Sequence, residues 1–212
     1  MANTVVAVKA NRIPLGSAKL YVVELDDTNK LTSDISIADA LKRVSDYAKD
    51  ENILGRTKNG ATANYSATHY TEKDDFGEVS KTVVTDENFS ISAGLITFDQ
   101  EMVNKLVPTA EYIKDDNGNE MTKIGGIQND NGKLYLCILV HEDKKDGDII
   151  YMIHGKNVAA LAWAFAKGAG TMTNPTIQAE PFDTKGRTAI LLTRKASTSS
   201  ASGGTETTEP TT

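Results

Sequence analysis

Short runs of apolar or alternating residues, separated by turn residues, make up most of this chain. In residues 89–95, Phe89, Ile91 and Ala93 alternate with Ser90 and Ser92 at the two-residue period of a β-strand. Residues 133–141 and 148–154 are almost continuously apolar, which is typical of central strands. Further strands are predicted at residues 20–25, 62–70, 79–85, 177–180 and 188–193, the last two forming a closing hairpin.

Turn-forming residues recur between these runs and favour antiparallel connections. Asn59-Gly60 and Asp146-Gly147 are examples, since asparagine, aspartate and glycine tolerate the positive φ of hairpin turns. The pattern therefore predicts a mainly β, antiparallel fold.

Two segments have helical features. In residues 98–107, Met102 and Leu106 fall four apart, Asp99 is a candidate N-cap, and Pro108 marks the end. Residues 36–48 begin with Ser36 and place an apolar stripe on one face, although an irregular excursion is the alternative.

Residues 158–167 combine alanines, which favour a helix, with large side chains that alternate as in a strand. Leu161, Trp163 and Phe165 would all lie on one face of a strand, whereas a helix would spread them around its circumference. We therefore predict a strand here.

Composition defines one folded domain and a tail. The domain is assigned to residues 1–195, and residues 196–212 are rich in serine, threonine and glycine without a large apolar side chain, so we expect disorder there. The single cysteine, Cys137, sits in an apolar run, which predicts a buried thiol in a protein of a reducing compartment.

Charge and hydropathy restrict the possible partners. The formal net charge of -6 argues against a surface that grips nucleic acid phosphates. No stretch approaches the roughly 20 apolar residues of a membrane span, and the N-terminus has no charged leader, so we expect a soluble protein that is intracellular at synthesis and makes no membrane contact.

The chain carries no recognisable catalytic, metal or cofactor motif. Gly125-Gly126 lacks the context of a phosphate-binding loop, and His69, His141 and His154 are not spaced as metal ligands. The acidic run at residues 115–120 fits a hairpin turn better than a calcium loop. We predict no catalytic residue, no metal and no cofactor, and a protein that is not an enzyme.

A polar excursion at residues 67–80 is too hydrophilic for a core hairpin. An arm that reaches an adjacent subunit would suit it, and an ordinary solvated hairpin is the alternative. The predicted subunit-interface residues form its tip: Glu72, Lys73, Asp74, Asp75, Phe76, Gly77 and Glu78.

Several blocks together resemble a known family. Residues 53–65, 74–85 and 86–98 occur in the order found in the major tail tube proteins of long-tailed, siphovirus-type bacteriophages of Gram-positive hosts. Residues 174–187 are similar to that family's closing hairpin. Residues 34–50 and the alanine-rich stretch around Trp163 depart from the family pattern.

The resemblance implies a fold and an assembly. The fold would be two packed antiparallel sheets, sandwich- or barrel-like, with one flanking helix at residues 99–107. Copies of the chain would form hexameric rings that stack into a tube for DNA ejection, and DNA would cross the lumen without specific binding. Tail terminator, tape measure and baseplate proteins are the implied partners, in a phage tail assembled in the bacterial cytoplasm.

Two other functions stay open at this point. A capsid decoration or adhesion module, with the Ser/Thr-rich tail as a linker, is compatible with the same β pattern. A small β-rich enzyme would require a deep pocket with convergent titratable groups, to which no sequence feature points.

Overall fold

A computed structural model describes residues 16–163 and 173–196, and it is mainly β. Strands make up 46% of the described residues and helices 14%, arranged as a large antiparallel sheet, a small second sheet and two helices. The predicted mainly β, antiparallel fold is confirmed. The strands are β1 Lys19–Glu24, β2 Thr57–Lys73, β3 Ser80–Leu95, β4 Ala110–Lys114, β5 Glu120–Ile124, β6 Tyr135–His141, β7 Asp148–Asn157, β8 Thr176–Glu180 and β9 Ala189–Arg194; the helices are α1 Ile37–Tyr47 and α2 Gln100–Leu106.

The large sheet has the strand order β1-β6-β7-β8-β3-β2, with β9 also paired to β7. Its two ends approach each other, because Tyr21 of β1 forms an isolated bridge with Ile53, just before β2. The Leu54 amide donates to the Leu20 carbonyl at 2.9 Å, and the Thr57 hydroxyl donates to the Ala18 carbonyl at 3.1 Å. The sheet therefore curls into a nearly closed barrel.

Strand β6 is buried on both faces, which explains its continuous apolar sequence. One face, with Cys137 and Leu139, joins the core inside the curled sheet, where α2 contributes Met102 and Leu106. The opposite face, with Ile138, belongs to a second core beneath α1. The predicted burial of the Cys137 thiol is confirmed, and burial raises its pKa well above the ordinary range.

Both helices start at the predicted caps. The Ser36 hydroxyl accepts a hydrogen bond from the Asp39 amide at 3.1 Å, so the segment that could have been an irregular excursion is a helix. The Asp99 carboxylate accepts from the Glu101 amide at 2.7 Å and caps the expected flanking helix. Ile37, the first residue of α1, faces solvent with 73% of its surface exposed, whereas Ala40 and Val44 of the same helix are buried.

The predicted closing hairpin at residues 177–180 and 188–193 is wrong. Strands β8 and β9 do not pair with each other; β8 continues along β7 at residues 154–157, and β9 along residues 148–153. Residues 181–188 loop out between them, closed by a hydrogen bond from the Phe182 amide to the Arg187 carbonyl. The turn signal located the bend correctly, but pairing was decided by the long apolar edge of β7.

Two further strand predictions need correction. Residues 79–85 and 89–95 belong to one strand, β3, interrupted only by a bulge near Thr85, because an exposed ribbon tolerates the acidic residues between them. Residues 158–163 form no strand: the Asn157 side chain bonds to Ala159 at 2.9 Å and ends β7 there. Residues 164–167 of that predicted strand, and residues 197–212 of the predicted tail, lie outside the described residues.

Candidate interaction site on the hairpin arm

The β2–β3 hairpin extends far beyond the body of the protein. At its base, Phe89, Ile91, Ala93 and Leu95 alternate into the core, and Ala61 and Ala63 pack beside them. From residue 64 to residue 88, every residue except Ala67 is exposed. We call residues 64–88 the arm. Because β2 has 17 residues at about 3.3 Å each, its tip lies roughly 50 Å from its base.

The arm is a two-stranded ribbon with no third strand among residues 16–163 and 173–196. Its register runs from Asn64 opposite Ser90 to Lys73 opposite Ser80, with an irregularity at Thr68 and His69. Thr71 and Thr82 lie opposite each other, and their hydroxyl oxygens are 2.8 Å apart. An isolated two-stranded ribbon is only marginally stable in water, so this element lacks the packing that ordinarily supports a hairpin.

Large apolar side chains occur on both faces of the arm. Tyr70 lies opposite Val83 on one face, whereas Tyr65 and Val84 lie on the other by strand alternation. Their exposed fractions range from 40% for Val83 to 58% for Tyr65. Exposed apolar surface on an extended, unsupported element is characteristic of a contact surface.

The seven residues predicted at the subunit interface form the tip. Glu72 and Lys73 end β2, and residues 74–78 make the turn. The Val79 amide donates to the Asp74 carboxylate at 2.8 Å, and Gly77 adopts a φ of 71° that glycine accommodates without strain. Phe76 projects from this turn with 87% of its surface exposed. The structure thus places these residues at the end of the arm that lies away from the core.

The arm also concentrates negative charge. It contains six carboxylates and two lysines, so it carries a formal charge of -4 out of -6 for the whole chain. Any protein surface that receives the tip is therefore expected to present positive charge.

Sequence reasoning missed the extent of this site. The pattern places Tyr65 and Tyr70 in the strand predicted at residues 62–70, and only Tyr70 also falls in the polar excursion predicted at residues 67–80. Period-two alternation does not distinguish a packed strand from an exposed one. The available signal was that polar residues occur on both faces, with Ser66 and Thr68 on one and Thr71 on the other.

The histidines lie in different parts of the fold. His69 is on the arm, His141 ends β6, and His154 is buried in β7. The His141 Nδ1 atom lies 3.1 Å from the Ser17 carbonyl. Within the described ranges, no three side chains of histidine, cysteine, aspartate or glutamate form a metal-binding group. In the same ranges, no helix has the length and apolarity to cross a membrane.

The acidic run at residues 115–120 connects β4 to β5, as the hairpin interpretation predicted. Asp115 organises the turn by accepting from the amides of Asn117 and Asn119 at 2.9 and 2.8 Å. The Asn119 side chain and these amides stabilise the carboxylate, so the pKa of Asp115 is lowered.

A scan against protein-family models finds no match for the chain, and a search of curated proteins finds none either. The arm is therefore interpreted from its own geometry and chemistry.

Proposed function

We propose that this chain is a structural subunit that polymerises with copies of itself, as the major tail tube proteins of long-tailed phages do. The observation that carries the proposal is the arm: 25 residues, nearly all exposed, with apolar side chains on both faces. Contacts within its own molecule contribute little to the stability of such a ribbon, and contacts with a neighbouring molecule would stabilise it.

The outer edge of β2 provides a second argument. Along the arm, from Asn64 to Lys73, no strand of the described residues pairs with this edge. An unpaired edge with free backbone N–H and C=O groups can accept a strand from another molecule, and a closed ring of subunits would remove such edges. In the proposed tube, stacked hexameric rings enclose the channel for DNA, which passes without specific binding.

Electron microscopy of the full-length chain tests the proposal. We expect negatively stained samples of concentrated protein, or of protein given a tail initiating complex, to contain hollow tubes with six-fold rings. A chain without most of the arm is the matched control and should form none. Full-length protein that stays monomeric under all these conditions would contradict the proposal.

A further inference from the structure

A pocket of about 260 Å³ opens where β1 meets the segment leading into β2. Ala18 and Val140 are buried in it, and Ile53 is half-buried, so its floor is apolar. Lys19, Arg56 and Glu142 also line it and are more accessible. We call this the base pocket, because it lies at the foot of the hairpin that carries the arm.

Two side chains that line the base pocket, Lys19 and Arg56, carry positive charge, and one, Glu142, carries negative charge; the Asp50 carboxylate also acts on Lys19. Lys19 is paired with Glu142 at 2.8 Å. None of the ion pairs within residues 16–163 and 173–196 involves the Arg56 side chain. The backbone amide of Arg56 donates a hydrogen bond to the Thr97 hydroxyl at 3.0 Å, which holds the residue in place. The pocket therefore combines an apolar floor with the uncompensated guanidinium of Arg56.

The tip of the arm has the complementary arrangement. Phe76 is an almost fully exposed aromatic ring, and Asp74, Asp75 and Glu78 surround it in the turn. A cavity of about 150 Å³ suffices for benzene, so the base pocket has room for the phenyl ring of Phe76. The adjacent carboxylates would then lie near Arg56.

The tip cannot reach the base pocket of its own molecule. The pocket includes Gly55, just before β2, and Thr57, its first residue, whereas Phe76 lies beyond the end of β2, roughly 50 Å away along the β2–β3 ribbon. Only a second molecule can bring these two surfaces together.

We propose that the base pocket receives Phe76 from the arm of a second copy of this chain, with Asp75 facing Arg56. This inference rests on the proposed function and specifies the contact by which one copy engages the next. Tip and pocket are different surfaces, so the contact is heterologous. Each contact leaves one copy with a free pocket and the other with a free tip, so further copies can add until a ring closes or a filament forms.

Sedimentation velocity of the full-length chain over a range of concentrations tests this contact, with the midpoint concentration of assembly as the readout. Phe76→Ala should raise the midpoint by roughly 30-fold or more, as expected for a central aromatic anchor. Arg56→Glu and Asp75→Lys should each raise it severalfold, and the double variant should recover most of the loss because the charges are exchanged.

Ile127→Ala is the matched control, because it removes an apolar side chain that is 93% exposed and lies outside both the arm and the base pocket. Its midpoint should equal that of the unaltered chain, and circular dichroism should show all variants folded. If the unaltered chain assembles and Phe76→Ala assembles equally well, or the double variant is no better than either single one, the contact is refuted while the proposed function stands. If the unaltered chain never assembles, the proposed function itself fails.

Discussion

His154 connects the central strand β7 to the segment between β1 and α1. Its Nε2 atom accepts a hydrogen bond from the Leu31 amide at 2.8 Å, and its ring meets Phe182 edge-on with centroids 6.2 Å apart. Burial lowers the pKa of His154 to about 4, and the positive charges of Arg43 and Lys30 act in the same direction. The neutral imidazole is therefore the form that the folded protein requires.

Stability should fall on mild acidification because of this residue. The pKa of His154 in the folded state lies below the unfolded value of about 6.5, so the unfolded chain binds the proton first as the pH falls. The contribution of His154 to the free energy of unfolding is therefore complete above pH 6.5. It is lost as the pH falls towards 4, and the total loss is about 3 kcal/mol. Urea unfolding of the chain and of His154→Gln at several pH values measures the difference. The variant should lose less stability over this interval, and His69→Gln on the arm should behave like the unaltered chain.

Gly155 of β7 lies opposite Ala179 of β8, where the backbone of β8 leaves no room for a side chain. A Cβ atom there would lie 2.2 Å from the Gln178 carbonyl oxygen and 3.0 Å from the Ile177 side chain. We expect Gly155→Ala to lower the free energy of unfolding by about 1–3 kcal/mol, since backbone must shift to admit the methyl group. Lys156→Ala, in the next position of the same strand, is the control for urea unfolding. Equal effects of the two substitutions would contradict this explanation.

At the scale of elements, the body and the arm depend on different interactions. The base of the hairpin is held by Phe89 and Ile91 in the core, with Gln178 of β8 opposite Ser90. The arm beyond it has only its cross-strand hydrogen bonds and exposed pairs, which each contribute a fraction of a kcal/mol. Folding of the body should therefore be nearly independent of the arm.

Shortening the arm tests this independence. Replacing residues 68–86 by Asn-Gly joins Ala67 to Glu87, which are directly opposite in the register. The free energy of unfolding should change by less than about 1 kcal/mol, because no buried contact is removed. Urea unfolding monitored by circular dichroism measures it, and an unfolded variant would show that the body needs the arm.

At the scale of the whole molecule, closure of the large sheet creates features that no single element contains. The bridge between Tyr21 and Ile53 joins β1 to the start of β2, and the base pocket forms at this junction. The same hairpin then carries the tip far from that pocket. Tip and pocket thus lie at opposite ends of one extended hairpin, an arrangement suited to head-to-tail contacts.

The sequence by itself determined the features that depend on neighbouring residues. Alternation and apolar runs located the strands that became β6 and β7, and Ser36 and Asp99 located the helix starts, because strand periodicity and capping act over a few residues. Polarity and turn residues placed Glu72 to Glu78 at the end of a hairpin, and their role in a subunit interface stays a prediction.

Only the tertiary structure decided which edges pair and what stays exposed. Three features depend on contacts between residues that are distant in the sequence. Strands β8 and β9 both lie along β7, and β3 continues into the arm. Ala18, Ile53 and Arg56 meet in one pocket. Turn residues determine where the chain bends. Which strands pair depends instead on the apolar surface that each pairing buries across the whole sheet.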